Sequence, residues 1–275
     1  HFTRNNHKTT RNTMQFSSVV LALALGSASA FVAPQQSRTS RVVVSETKAD
    51  LEQLQKDLNP VVPFFDPIGL ADQTFWGTEP WTALGSTNEA TIGWLRHSEI
   101  KHGRVAMAAF VGYIVQANGI HFGWPQTMAG DMPPFAGGSP EAQWDAIPLG
   151  AKWQVISFVA FLELWGEAAM DTHYMKGGKP GAFPDLVDNS NMQLPHPVPL
   201  NLFDPFKLSK NASPEKKAKG LLAEINNGRL AMIGIFGFLS EAKVPGSVPF
   251  LTGIVKPYDG DSMAPFLANF DMFNL

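Results

Sequence analysis

Two short stretches of this chain of 275 residues carry ionisable groups in a pattern that could do chemistry. They are Glu99-Ile-Lys-His102-Gly103-Arg104-Val-Ala-Met107 and Glu224-Ile-Asn-Asn227-Gly228-Arg229-Leu-Ala-Met232. A glutamate and an arginine five positions apart are separated by about 500° around a helix, so they cannot pair within their own helix. The repeat offers the solution: Glu99 pairs with Arg229 and Glu224 with Arg104 across two crossing helices. A buried charge left unpaired would be prohibitively costly. Gly103 and Gly228 lie between the charged residues, where small size lets two backbones approach closely. A carboxylate balanced on one oxygen keeps lone pairs on the other. His102 sits three residues after Glu99 on the same face, and Asn227 holds the same place relative to Glu224. Charge-neutral oxygen and nitrogen donors of this kind suit a hard ion such as magnesium.

These residues need long helices to position them. Each motif opens an apolar run, AMAAFVGYIVQANG in the first copy and AMIGIFGFLSEA in the second, and the stretch from Ile147 to Tyr174 supplies a third. Each is long enough to span a bilayer, which takes roughly 20 residues. The similarity extends upstream, with Phe65-Asp66-Pro67 before one copy and Phe203-Asp204-Pro205 before the other. Two copies of a loop-plus-helix unit imply two equivalent helices. The expected fold is therefore an all-α membrane protein. It has three transmembrane helices near 90–118, 148–174 and 215–243, the first and third crossed and related by pseudo-two-fold symmetry. Ionisable residues inside such spans mark function. No Lys or Arg occurs between Ile120 and Gly150, whereas Lys176, Lys179, Lys207, Lys210, Lys216, Lys217 and Lys219 crowd the next loop. By the positive-inside rule the second loop faces the compartment of insertion, which puts the mature N-terminus on that side and the C-terminus across the membrane.

Composition excludes several function classes. A net charge of −3 gives no footprint for nucleic acid. The absence of cysteine removes disulfides, thiol catalysis and thiolate metal sites. Mean hydropathy near zero argues against a membrane protein until the leader and polar loops are set aside. Residues 1–30 read as an upstream extension, with Met14 as the expected initiator, joined to a signal peptide (SSVVLALALGSASA) cleaved after Ala30. Residues 31–45 carry Arg38 and Arg41 and no acid, the build of a transit segment. Residues 46–275 then form the functional domain. The bipartite leader resembles the address of plastids bounded by extra membranes.

The two E-x-x-[HN]-G-R-[VL]-A-M segments, the FDP loops and the three-span layout resemble light-harvesting chlorophyll-binding proteins. The match runs from about Phe64 to Lys243. The leader and short loops are most similar to the red-lineage fucoxanthin– or peridinin–chlorophyll a/c antennae. The resemblance implies that Glu99, His102, Glu224 and Asn227 ligate chlorophyll magnesium, with Arg104 and Arg229 as their cross-paired partners. It also implies two central carotenoids beside the FDP loops. Where the family often has a Gln ligand, fourteen residues after Asn227, this chain has Glu241, which the resemblance makes the candidate chlorophyll-binding residue there, and no His follows His196 to match a late C-terminal ligand. On the middle helix the expected ligands are Gln154 and Glu163, which lie on opposite faces, whereas Glu163 and Glu167 share one. The implied cofactors are chlorophyll a, chlorophyll c and carotenoids (fucoxanthin or peridinin, with a diadinoxanthin-type xanthophyll). The implied partners are a photosystem core (photosystem I before II), neighbouring antenna subunits and thylakoid lipid. The implied place is the plastid thylakoid, with the N-terminus stromal.

Several features also admit plainer readings. His97, His121, His173 and His196 read as interfacial or loop residues, the tryptophans as an aromatic belt near helix ends, and Met107 and Met232 as packing residues. A di-iron carboxylate enzyme also uses Glu-x-x-His from two helices, but the second copy has Asn227 and only three strong helices exist. A transporter would need more spans around a polar path. Within the antenna class, light harvesting competes with photoprotective quenching, and no added acidic cluster on the translocated side argues for the latter. The segment from Val244 to Leu275 is expected to end in a short amphipathic helix.

Overall fold

The computed structural model describes residues 46–75, 87–125, 128, 130, 139–184 and 211–262. The leader, the second FDP loop, His196, Lys207, Lys210 and the far C-terminal segment lie outside the described residues. The described residues are helical and contain no strand. The helices are α1 (Lys48–Leu58), α2 (Asn88–Ala117), α3 (Pro140–Asp145), α4 (Leu149–Ala168) and α5 (Pro214–Lys243), with 3-10 turns at Leu70–Asp72, Tyr174–Lys176 and Pro249–Leu251.

Side-chain caps set where the helices begin. Thr87 accepts from the Ala90 amide at 3.1 Å, and Ser213 accepts from the Lys216 amide at 3.3 Å ahead of Pro214 and Glu215. Both residues satisfy donors that a helix start leaves open, and Pro and Glu suit the first turn. The same Ser-Pro-Glu order at Ser139 opens α3. Helices stand where the three spans were expected. The middle one stops at Ala168 rather than Tyr174, because the chain turns there into the 3-10 turn at Tyr174–Lys176. No helix among the described residues is long and apolar enough to cross a membrane. The reason is in the sequence: the uncharged runs at 105–117 on α2 and 230–240 on α5 are short, and on α4 Lys152, Glu163 and Glu167 break the run.

The two 30-residue helices α2 and α5 cross at their motifs. A β-carbon on Gly103 would lie 3.0 Å from the Cα of Gly228, and one on Gly228 would lie 2.9 Å from the Cα of Gly103. Ile100, Gly103 and Ala106 are buried on α2, and Ile225, Gly228 and Ala231, at the matching places of the second copy, are buried on α5. Further along, Gly234 admits the Phe110 ring, which stacks on Phe238 at 5.0 Å. Beyond that, Tyr113, Ala242 and Val255 close a small core against Leu239 and Tyr258. At the opposite end α1 lies over the crossing, with Asn226 of α5 donating to the Leu58 carbonyl at 3.2 Å. The first FDP loop folds back through Asp66, whose carboxylate accepts from the Leu70 and Ala71 amides at 2.8 and 2.9 Å. The Ala71 amide foremost, then Leu70, holds that carboxyl below its ordinary pKa. At the C-terminal loop, burial and the hydrogen bond to Asp145 push the Tyr258 phenol up to about 12.

Helix α4 does not pack along either long helix. Its ties run through single side chains: Lys101 of α2 to Glu163, Phe183 against Gly166, and Glu167 to Tyr174. All three long helices turn large apolar residues outward, including Val105 and Val111 on α2, Leu164 on α4 and Leu230, Ile233 and Phe236 on α5.

The Gly103–Gly228 contact leaves no room for a side chain on either helix. Gly103→Ala is expected to destabilise the helical assembly by about 1–3 kcal/mol, the usual cost of forcing atoms into a packed contact. Thermal unfolding followed by circular dichroism checks this, and an unchanged midpoint would show that the helices are not in contact there.

Candidate functional site

Both reciprocal ion pairs are present. Arg229 Nε donates to Glu99 Oε1 at 2.7 Å, and Arg104 Nε donates to Glu224 Oε1 at 2.6 Å. Each arginine uses a second nitrogen to hold a neighbouring segment. Arg229 Nη1 donates to Gln55 Oε1 of α1 at 2.9 Å, and Arg104 Nη1 donates to the Gly181 carbonyl at 2.6 Å. The clamp thus joins two helices, one short helix and one loop through charge-assisted hydrogen bonds, stronger than neutral ones.

Glu99 differs from Glu224 in one respect that the motif does not reveal. Its Oε2, expected to remain open, accepts from Arg96 Nη1 one turn earlier on α2. Arg96 Nε in turn donates to Glu46 at 3.1 Å. Arg96 is buried, so the extra carboxylate is what keeps the group Glu46, Arg96, Glu99 and Arg229 neutral in sum. Glu224 meets Arg104 at one oxygen alone among the described residues.

The remaining donors face outward. His102 is exposed and its Nδ1 lies 2.8 Å from the Ser98 carbonyl. A carbonyl only accepts, so Nδ1 carries the proton and the Nε2 lone pair is left free to bind. Asn227 is likewise exposed. On α4, Gln154 is exposed, and Glu163 is paired with Lys101, so its charge is balanced in the same way as that of the clamp glutamates. Glu241 is otherwise employed. It is 2% exposed, and its two oxygens accept from the Gly246 and Val248 amides at 2.9 and 2.8 Å. The residue that stands in place of the family's Gln thereby ends α5 and fastens the following turn, with no open face left for a ligand.

His97 and His173 are not loose interfacial residues. His97 is buried, stacks on Tyr174 with ring centroids 3.9 Å apart, and accepts from the Gly181 amide at 3.1 Å. His173 Nδ1 accepts from the Met175 amide at 3.3 Å, so its Nε2 carries the proton and donates to Glu167 at 2.9 Å. Tyr174 donates to the same carboxylate. The network binds the loop after α4 to α2. Glu167, His173 and Tyr174 are close in sequence, but His97 and Gly181 are 84 residues apart and follow no repeated spacing; of the unforeseen partners, Arg96, at i−3 from Glu99, carries a local signal in the sequence.

These donors do not converge. Among the described residues no group of three or more His, Asp or Glu is placed to hold a metal ion, which a di-iron centre requires. Single, separated, charge-balanced donors fit a magnesium whose other ligands are supplied by its own macrocycle.

A family model described as "Chlorophyll A-B binding protein" matches residues 47–243. The chain is 32% identical over 235 residues to the chloroplastic fucoxanthin-chlorophyll a-c binding protein of Trieres chinensis, covering 84% of this chain and 97% of the relative. It is 29% identical over 231 residues to fucoxanthin-chlorophyll a-c binding protein F of Phaeodactylum tricornutum, covering 82% and 94%. It is 29% identical over 266 residues to the corresponding protein of Chattonella marina var. antiqua, covering 92% and 97%.

Removing one partner of a half-buried ion pair leaves the other unbalanced. Arg104→Leu is expected to cost about 3 kcal/mol. The double variant Glu224→Leu with Arg104→Leu is expected to be more stable than Arg104→Leu alone. A double-mutant cycle by thermal or denaturant unfolding checks this; additive costs would show that the two side chains do not interact.

Proposed function

This chain belongs to the chlorophyll A-B binding protein family and is a light-harvesting antenna protein, not an enzyme; from that premise we propose how its residues hold pigment and where it works. The pigments are chlorophyll a, chlorophyll c and fucoxanthin or a related carotenoid, as the names of the relatives suggest. The single observation that carries the assignment of sites is the state of His102, an outward imidazole whose Nδ1 proton is given to the Ser98 carbonyl and whose Nε2 is free. Glu99, His102, Glu224 and Asn227 each take one chlorophyll magnesium, with Arg104 and Arg229 balancing the carboxylates. Gln154 and Glu163 do the same on α4. The bound macrocycles supply light absorption and excitation transfer, while the protein fixes their spacing and orientation.

The helices α2, α4 and α5 span the thylakoid membrane, α2 and α5 being related by a pseudo-two-fold axis at Gly103 and Gly228. Support comes from the outward apolar faces and from charges that are neutralised in pairs. The ionic groups that break the apolar runs then meet the membrane interior as neutral assemblies, which lowers their cost. The N-terminus is stromal, after removal of a bipartite leader ending near residue 45. Excitation passes to a photosystem core, photosystem I before photosystem II, and to neighbouring antenna subunits.

Protein purified from its native membrane in mild detergent is expected to carry chlorophyll a, chlorophyll c and a keto-carotenoid in fixed ratio. His102→Leu, reconstituted with those pigments, is expected to bind one chlorophyll fewer per chain by pigment extraction and to lose one band from the difference absorption spectrum. Unchanged pigment content in His102→Leu would remove His102 from the ligand set, and a colourless native protein would overturn the whole assignment.

A further inference from the structure

The two arginines of the clamp are held differently at their second nitrogen. Arg229 reaches the side-chain amide of Gln55, whereas Arg104 reaches a backbone carbonyl, that of Gly181. That carbonyl belongs to a residue fixed from three directions. Its amide donates to His97 Nδ1 at 3.1 Å. Its φ of +73° suits glycine, and a β-carbon there would lie 2.6 Å from Ile100 Cγ2. His97 itself is 7% exposed and its ring lies within 14° of parallel to Tyr174. The Tyr174 carbonyl in turn sits where a β-carbon on Gly93 would be, so the loop is seated directly on α2. In the second copy of the repeat the position matching His97 is Leu222, which offers no acceptor. The arrangement therefore belongs to one site of the pair.

We propose that His97 is a positioning residue for the pigment site at Glu224. It acts through the Gly181 peptide, which holds Arg104, which holds the Glu224 carboxylate. The inference rests on the assignment of Glu224 as a chlorophyll ligand made above. A peptide amide only donates, so His97 serves in its neutral form with the proton on Nε2. Without the acceptor, the buried Gly181 amide loses its partner and the peptide rotates to find another, taking the carbonyl away from Arg104. Arg104 then keeps its ion pair but not its orientation, and the carboxylate oxygen that meets magnesium moves with it. The Glu99 site has no such dependence, since its carboxylate is held by Arg96 and Arg229 instead.

The test uses the full chain reconstituted with chlorophyll a, chlorophyll c and fucoxanthin. Glu224→Ala identifies the absorption and circular-dichroism band of the chlorophyll bound there, as the band lost with one chlorophyll per chain. His97→Phe keeps a ring against Tyr174 but has no acceptor, and is expected to displace or empty that same band while leaving the others. His97→Asn places an oxygen near the position of Nδ1 and is expected to restore it. If His97→Phe leaves the band in place, or His97→Asn fails to restore it, the positioning role is wrong although Glu224 remains a ligand. If Glu224→Ala removes no chlorophyll, the ligand assignment itself fails and the inference with it. A measurement on the unaltered pigmented protein decides the matter even where His97→Phe does not assemble. The Gly181 amide is expected to be protected from hydrogen exchange, and rapid exchange there would overturn the proposal.

Discussion

Everything else in this molecule depends on two glutamate–arginine pairs that cross between α2 and α5 around a point where two glycines touch. The glycines bring the backbones close enough for side chains of ordinary length to reach across. The ion pairs make that closeness worthwhile, because a helix carrying one charge is a poor neighbour for anything but the opposite charge. Neither half works without the other. A side chain at either glycine would pry the pairs apart, and loss of an arginine would leave a half-buried carboxylate at the centre of the crossing.

The same arrangement accounts for a helix set that no apolar span describes. Glu99, Arg104, Glu224 and Arg229 do not face outward as free ions. They are consumed in pairs at the crossing, and the outward faces nearby are built from Val105, Val111, Leu230, Ile233 and Phe236. The chain thus separates polar and apolar surface by tertiary pairing rather than by a long run of apolar residues. The arginines do a second task, each fastening a peripheral segment, α1 through Gln55 or the loop after α4 through Gly181. A pigment-holding reading gains from this economy at Glu224, since a carboxylate balanced at one oxygen and open at the other is a donor a macrocyclic magnesium can use.

Helix α4 is held by the Lys101–Glu163 pair, by Tyr174 donating to Glu167, and by burial of Trp165 and Gly166. A soluble helical bundle would bury such a helix against its neighbours, because the apolar face of a helix is stabilised by contact. Here Leu164 and Phe161 stay outward, while Trp165 and Gly166 are buried and the tie to α2 is the Lys101–Glu163 ion pair.

The sequence by itself determined the part of this protein that repeats. The reciprocal pairing of Glu99 with Arg229 and Glu224 with Arg104, the glycine crossing, the positions of the long helices and the family all follow from one motif written twice, because five-residue spacing on a helix forbids the local pairing and leaves only the cross-pairing. What does not repeat was decided by tertiary structure. Arg96 with Glu46, His97 with Gly181 and Tyr174, Lys101 with Glu163, and Glu241 with the turn at Gly246 join residues whose spacing carries no period, and their roles depend on where loops return to the helices. His97 reads as a loop-side histidine in the sequence and is buried in the fold for that reason: the chain that covers it arrives from 84 residues away. Local chemistry can say what a residue is able to bind, but for a group whose partner is a distant backbone amide, only the folded chain says whether it does.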